Sequence, residues 1–144
     1  MKFHVTLGGW TTQRERAMPL RFEVFVIEQQ VPPELELDEM DAQSVHALAL
    51  NGHGEAVGTG RLLPDAHIGR MAVRKDARGF GVGSAILRAL MQEAERRGEP
   101  AVLLHAQSYA VPFYRRFGFE AEGEEFMEAG IPHVLMRHCF PRAA

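Results

Sequence analysis

The residues best suited to chemistry lie in the stretch Arg78-Gly79-Phe80-Gly81-Val82-Gly83-Ser84. Three glycines in five positions let the backbone turn tightly and present its N–H groups without Cβ obstruction. Downstream, Val82, Ile86, Leu87, Leu90, Met91 and Ala94 recur at helical spacing. The loop therefore opens a helix, whose first turn adds unpaired N–H groups and the positive end of the dipole. Together these make a cradle for a phosphate or pyrophosphate. Arg70, Arg74, Lys75 and Arg78 put four cations within nine residues, which favours the same ligand. A P-loop needs Lys and then Ser or Thr after its last glycine; Ser84-Ala85 stands there instead. A dinucleotide fingerprint needs G-x-G-x-x-G, and here the third glycine comes one residue early. An ordinary glycine-rich turn before a helix suits the same residues.

Other reactive side chains are scattered. The seven histidines form no H-x-H or H-E-x-x-H pattern and there is no cysteine pair, so no metal site is expected. Cys139, the one cysteine, has no base at recognisable spacing and reads as a small near-terminal hydrophobe. Glu34, Glu36, Asp38, Glu39 and Asp41 put five carboxylates into eight residues. They suit either a solvated loop or a rim that draws in a cationic amine by long-range attraction.

These groups are positioned by elements that the hydrophobic pattern marks out. Phe3 to Leu7 alternates as a first strand and ends at Gly8-Gly9. Thr11 or Thr12 can cap a helix running from Arg14 to about Ile27, with Met18, Phe22, Phe25 and Val26 as its core face. Pro19 favours a start nearer Met18, with the proline at the first helical position. Val31-Pro32-Pro33 breaks that helix. Val45 to Leu50 and Glu55 to Leu63 read as strands joined by the hairpin signal Asn51-Gly52-His53-Gly54. A strand from Ile68 to Val73 precedes the glycine loop, and the helix beyond it is stopped by Gly98 and Pro100. Ala101 to Ala106 is an apolar run of buried-strand type. Ser108 to Arg116 reads as a short helix, followed by a strand after Phe119, a bend around Gly130 and a last strand from His133 to Arg137. The pattern is α/β: a mixed, mostly antiparallel central sheet of six to seven strands with helices on both faces.

With 144 residues and no repeat or long linker, residues 1–144 read as a single domain. A formal charge of −3 argues against a general nucleic-acid partner, which needs a basic face. Met1 to Trp10 lacks a signal-peptide core, and no apolar run approaches a membrane span. A lone cysteine suits a reducing cytoplasm.

Two motifs carry a family resemblance. Val73, Arg78, Gly81 and Gly83 match the phosphate loop of the GNAT N-acetyltransferase superfamily. Ala110, Phe113, Tyr114, Gly118 and Phe119 match its A-x-x-F-Y-x-x-x-G-F motif, one helix and one strand later. The run Arg21 to Gln29, Val31-Pro32 and the ending Glu125-Phe126 to His133 resemble the ElaA-like subgroup.

The resemblance implies a GNAT fold and direct acetyl transfer from acetyl-CoA to an amine, without an acyl-enzyme. The strands ending at Val73 and beginning at Ala101 are expected to splay, with Met71, Ala72 and Val73 beside the pantetheine arm. A backbone N–H of that strand would polarise the thioester carbonyl. Arg78, Gly79, Gly81, Val82, Gly83 and Ser84 would hold the pyrophosphate, with Phe113 nearby. Where the superfamily often has an amide contact from Asn, this chain has Gln107, one methylene longer. Tyr114 is implied as the general acid to the departing thiolate. Glu28, His46, His105, Glu124, Glu125 and His133 are candidates for the general base. His105 ends the strand beside the expected slot, and Glu28 sits where the first helix meets the proline loop. The acidic segment favours a cationic small-molecule acceptor over an acidic one; such a molecule is favoured over a protein, with a peptide N-terminus or lysine left open. A non-catalytic acyl-CoA-binding module and a transferase of longer acyl chains fit the same motifs. Members of the superfamily often pair as dimers.

Overall fold

The computed structural model describes residues 1–141. Seven strands form one sheet: β1 (Phe3–Gly8), β2 (Val45–Asn51), β3 (Ala56–Leu62), β4 (His67–Val73), β5 (Ala101–Gln107), β6 (Glu120–Glu128) and β7 (Ile131–Cys139). Their spatial order is β1-β2-β3-β4-β5-β7-β6. Neighbours are antiparallel except β4 and β5, which run parallel. The helices are α1 (Trp10–Arg21), α2 (Pro33–Glu36), α3 (Val82–Arg96) and α4 (Val111–Arg115). Alternation along β2 assigns the two faces: Ala47 and Ala49 join the cluster under α3, whereas Leu48 packs with Ala17 of α1. A strand covered on both sides must be mostly apolar, and in β2 only His46 and the terminal Asn51 are polar.

The α3 helix follows its sequence pattern. Val82, Ile86, Leu87, Leu90 and Ala94 are buried, and burial of each large side chain contributes about 1.5–3 kcal/mol. The helix can approach β3 closely because Gly58 and Gly60 lack side chains. A Cβ on Gly58 would stand 2.5 Å from Val82 and 2.6 Å from Ile86; one on Gly60 would stand 2.7 Å from Met71. The glycines of β3 thus set the height of α3, and of the glycine loop that opens it, above the sheet.

The first helix departs from expectation. Gly9, not Thr11 or Thr12, is its N-cap, and Pro19 lies inside it. Beyond Arg21 it widens into a π-helix over Phe22–Glu28. The buried face is Gln13, Ala17, Leu20, Arg21 and Val24, while Phe22 is exposed. The expected register of Met18, Phe22, Phe25 and Val26 placed Arg21 outside. Its charge is instead met inside, by Glu36 and by Asp41 at 2.8 Å. Opposite charge and hydrogen bonds make that burial tolerable where an unpaired guanidinium would not be.

Those partners also correct the reading of the acidic segment. Asp41 bridges Arg21 and Arg61, Asp38 holds Arg61 through two bonds of 2.6 and 2.8 Å, and Arg70 reaches Asp38 at 3.3 Å. Three of the five carboxylates are therefore bound inside an arginine network, which fastens the segment to β3 and β4. Burial raises the proton affinity of Asp41, but Arg21 and Arg61 outweigh it and hold the carboxyl below its ordinary range. Cys139, read as a small near-terminal hydrophobe, is exposed at the end of β7.

Candidate active site

The parallel pair β4–β5 opens the sheet. The two strands are in register only at His67↔Leu103 and Ile68↔Leu104, although β4 continues to Val73 and β5 to Gln107. Arg74 donates its N–H to the Val57 carbonyl of the neighbouring chain segment at 2.8 Å, and Ala72 pairs with Thr59. Alternation then directs the backbone N–H of Val73 the other way, into the opening, and Met71 borders the opening at a break in the register. Ala72 is spent on β3 and buried, so it offers a ligand only its place between the other two. A register shift opposite Gly60 disturbs β4 here, and Arg70 adopts a left-handed φ of 51°. Its side chain is anchored on the carbonyls of Glu36 and Leu35 at 3.0 and 3.1 Å, which holds this strained residue in place.

At the C-terminal end of the opening lies the glycine loop. Gly79 and Gly81 have φ of 87° and 81°, values that favour glycine. Gly81 is the N-cap of α3, and no side chain caps the helix. The first N–H groups of α3, on Val82, Gly83 and Ser84, are thus left for a ligand, while the Val82 side chain belongs to the core. The position of a Cβ on Gly83 lies 3.6 Å from Val73 and 3.8 Å from Phe113. The loop, the end of β4 and α4 therefore converge. These features fit the phosphate and arm of an acyl-CoA.

Arg78 is not free. It donates to both oxygens of Glu28, at 2.6 and 2.7 Å, and to the Val73 carbonyl. The guanidinium holds the Glu28 carboxyl below its ordinary proton affinity. Glu28 also lies outside the cavity lining, so the structure gives this base candidate neither the position nor the basicity.

A cavity of about 720 Å³ fills the opening between β4 and β5. Its walls bring together five of the residues expected to bind the arm or do the chemistry: Met71, Gln107, Tyr114 and the base candidates His105 and His133. Tyr114 packs edge-on against Phe113 at 5.1 Å and Phe119 at 6.0 Å. Burial pushes its phenol up to about 12, so it carries its proton at neutral pH. Gln107 donates to Gln29 at 3.0 Å; the five-residue step from Val24 to Gln29 matches the π-helical turn between them. His46 is elsewhere: its ring lies against Trp10, with Nε2 2.8 Å from the Asp41 carbonyl, and burial lowers its proton affinity. Glu125 accepts from Ser108 at 2.7 Å, and Glu124 points to solvent on β6.

Several lining residues had no signal in the sequence. His67 has its Nδ1 3.1 Å from Asp65, and Glu128 lies 2.9 Å from His105 and 3.6 Å from His133. With Asp38 held by arginines, Asp65 and Glu128 are the more exposed carboxylates of the cavity wall. Among the described residues no three His, Cys, Asp or Glu side chains are arranged to hold a metal ion, and no helix is long and apolar enough to cross a membrane.

The family model of the acetyltransferase (GNAT) domain matches residues 12–140. The uncharacterized N-acetyltransferase YjcF of Bacillus subtilis is 41% identical over 128 residues, covering 86% of this chain and 91% of the relative. An acyl-CoA N-acyltransferase from Pseudomonas aeruginosa superposes with a TM-score of 0.86 at 31% identity, covering 96% of this chain and all of that one. Escherichia coli ElaA gives 0.84 at 27% identity, covering 95% and 99%.

Proposed function

This chain belongs to the GNAT acetyltransferase family, and on that premise we propose that it moves an acetyl group from acetyl-CoA to a small cationic amine. The observation that carries the reading is the β4–β5 opening, with the uncapped α3 terminus at one end and Tyr114 and His105 in its wall. Acetyl-CoA supplies an activated acyl group whose leaving thiol has a pKa of about 8.5.

Each residue then has a task that its setting supports. The N–H groups of Val82, Gly83 and Ser84, with the turn at Gly79 and Gly81, hold the pyrophosphate, and Arg78 adds charge once shared with or released from Glu28. The Met71 and Val73 backbone, Gln107 and Phe113 bind the arm, and a β4 N–H stabilises negative charge developing on the carbonyl oxygen. His105 takes a proton from the amine, the nitrogen–carbon bond forms, the carbon–sulfur bond breaks, and Tyr114 protonates the departing sulfur. A cavity of about 720 Å³ is of small-molecule size. Asp65 and Glu128, rather than the acidic segment, favour a cation there. A lone, exposed Cys139 supports a reducing, cytoplasmic setting.

Thermal unfolding with acetyl-CoA and free CoA, in wild type and Ser84→Glu, tests the reading. A carboxylate at this third helical position favours the helix dipole but repels an entering phosphate, so folding and binding respond with opposite signs. At about a hundred times Kd the ligand should stabilise the wild type by about 2.7 kcal/mol, or roughly 9 °C. The shift should vanish in Ser84→Glu without a lower midpoint for the free protein. No shift in the wild type with either ligand refutes the assignment.

A further inference from the structure

His105 reaches the cavity from β5, but its ring is held from the β6–β7 hairpin. Its Nδ1 lies 2.9 Å from Oε1 of Glu128. An ionised carboxylate only accepts, so Nδ1 carries the proton and Nε2 keeps its lone pair. Phe126 and His67 meet the ring edge-on at 5.1 and 5.7 Å, which limits its rotation. The second carboxylate oxygen of Glu128 faces Nε2 of His133 at 3.6 Å. His133 is buried and oriented in turn, because its Nδ1 donates to the Ile131 carbonyl at 2.7 Å.

The hairpin places Glu128 with little freedom. Glu128 pairs with Ile131, leaving Ala129 and Gly130 as the turn, both with positive φ of 51° and 76°. That is the form of a two-residue turn matched to the twist of its strands. Glu128 itself is about half exposed and makes no contribution to the core, which separates its role from folding.

We propose that Glu128 is a positioning residue that locks His105 in the Nδ1–H tautomer, so that Nε2 is the atom that takes the proton from the acceptor amine. This rests on the assignment of His105 as the base. As Nε2 gains that proton the imidazole becomes cationic beside the Glu128 carboxylate, whose charge stabilises it. The charged and titratable groups around His105 are Glu128 on β6, His67 with Asp65 behind it on the β4 side, and His133 across the carboxylate on β7.

The test reads the tautomer directly, by long-range proton–nitrogen NMR of ¹⁵N-histidine-labelled protein, beside steady-state kinetics. Wild-type His105, in its neutral form, should carry its proton on Nδ1. Glu128→Ala should move it to Nε2 and lower kcat by about tenfold to a hundredfold, with KM for acetyl-CoA unchanged. Glu128→Gln, whose amide oxygen still accepts from Nδ1 but carries no charge, should keep the tautomer and recover part of kcat, above Glu128→Ala. A wild-type His105 protonated on Nε2, or a tautomer that survives in Glu128→Ala, overturns the proposal. So does a Glu128→Gln that keeps the tautomer yet is as slow as Glu128→Ala. His105→Ala with full kcat would overturn the base assignment itself, and the two failures are distinguishable because the tautomer is read without turnover.

Discussion

Replacing Arg21 by Met should destabilise the fold more than any surface change. Arg21 is among the largest fully buried side chains, and its loss falls unequally on its two partners. Asp41 keeps Arg61 at 2.9 Å, whereas Glu36 keeps only the distant Nε of Arg70 at 4.0 Å. Glu36 is buried, so the variant strands a carboxylate away from water. Breaking one side of a buried ion pair costs about 3–5 kcal/mol. Unfolding entropy of about 2.1 cal/mol/K per residue gives about 0.3 kcal/mol/K for 144 residues, hence a drop of roughly 10–17 °C in midpoint. Calorimetry across pH carries the sharper test. Asp41 has its folded proton affinity depressed from 3.8, so its contribution is present above that pH and lost as pH falls through the lower folded value. The gap between variant and wild type should therefore be widest near neutrality and narrow as pH falls below 3.8 towards the depressed folded value of Asp41. A drop under about 3 °C, or a gap that does not change with pH, would refute the network as the anchor of the cavity wall.

Other perturbations separate the remaining roles. Tyr114→Phe removes the proton donor while keeping the ring contacts, so kcat should fall about tenfold to a hundredfold with KM for acetyl-CoA unchanged, read by thiol release; an unchanged kcat removes Tyr114 from the chemistry. Glu28→Gln frees Arg78 from an exposed pair worth about 0–1 kcal/mol, so KM for acetyl-CoA should fall by up to about fivefold while kcat holds. A hundredfold loss of kcat would instead restore Glu28 as the base. Gly58→Ala forces a methyl against Val82 and Ile86, and overpacking of about 1–3 kcal/mol should lower the unfolding midpoint by roughly 3–10 °C. An unchanged midpoint would mean that α3 can lift from β3 at little cost.

Much of the architecture was legible because its signals are local. The stripe from Val82 to Ala94 predicts α3 through its 3.6-residue period, and Asn51 to Gly54 predicts the hairpin through the conformations those residues tolerate. Gly79 and Gly81 mark the loop for the same reason, and the motif residues around Tyr114 gave the family. The first helix was less legible. A proline inside it and a π-helical turn after it break the 3.6-residue count, so the buried side cannot be read from spacing.

What the sequence determined by itself was most of the order of elements, the glycine loop and the kinship; what only the tertiary structure decided was where each charge went. Glu28 and Arg78 meet across 50 residues, His105 and Glu128 across 23, and Arg21 finds Asp41 across 20. No periodicity links such positions. Asp65 at the cavity wall and Asp41 bound to buried guanidiniums are the same letter in the chain. Their chemistry is set by burial and by the partner within hydrogen-bond reach, and both come into being only when the sheet closes around them.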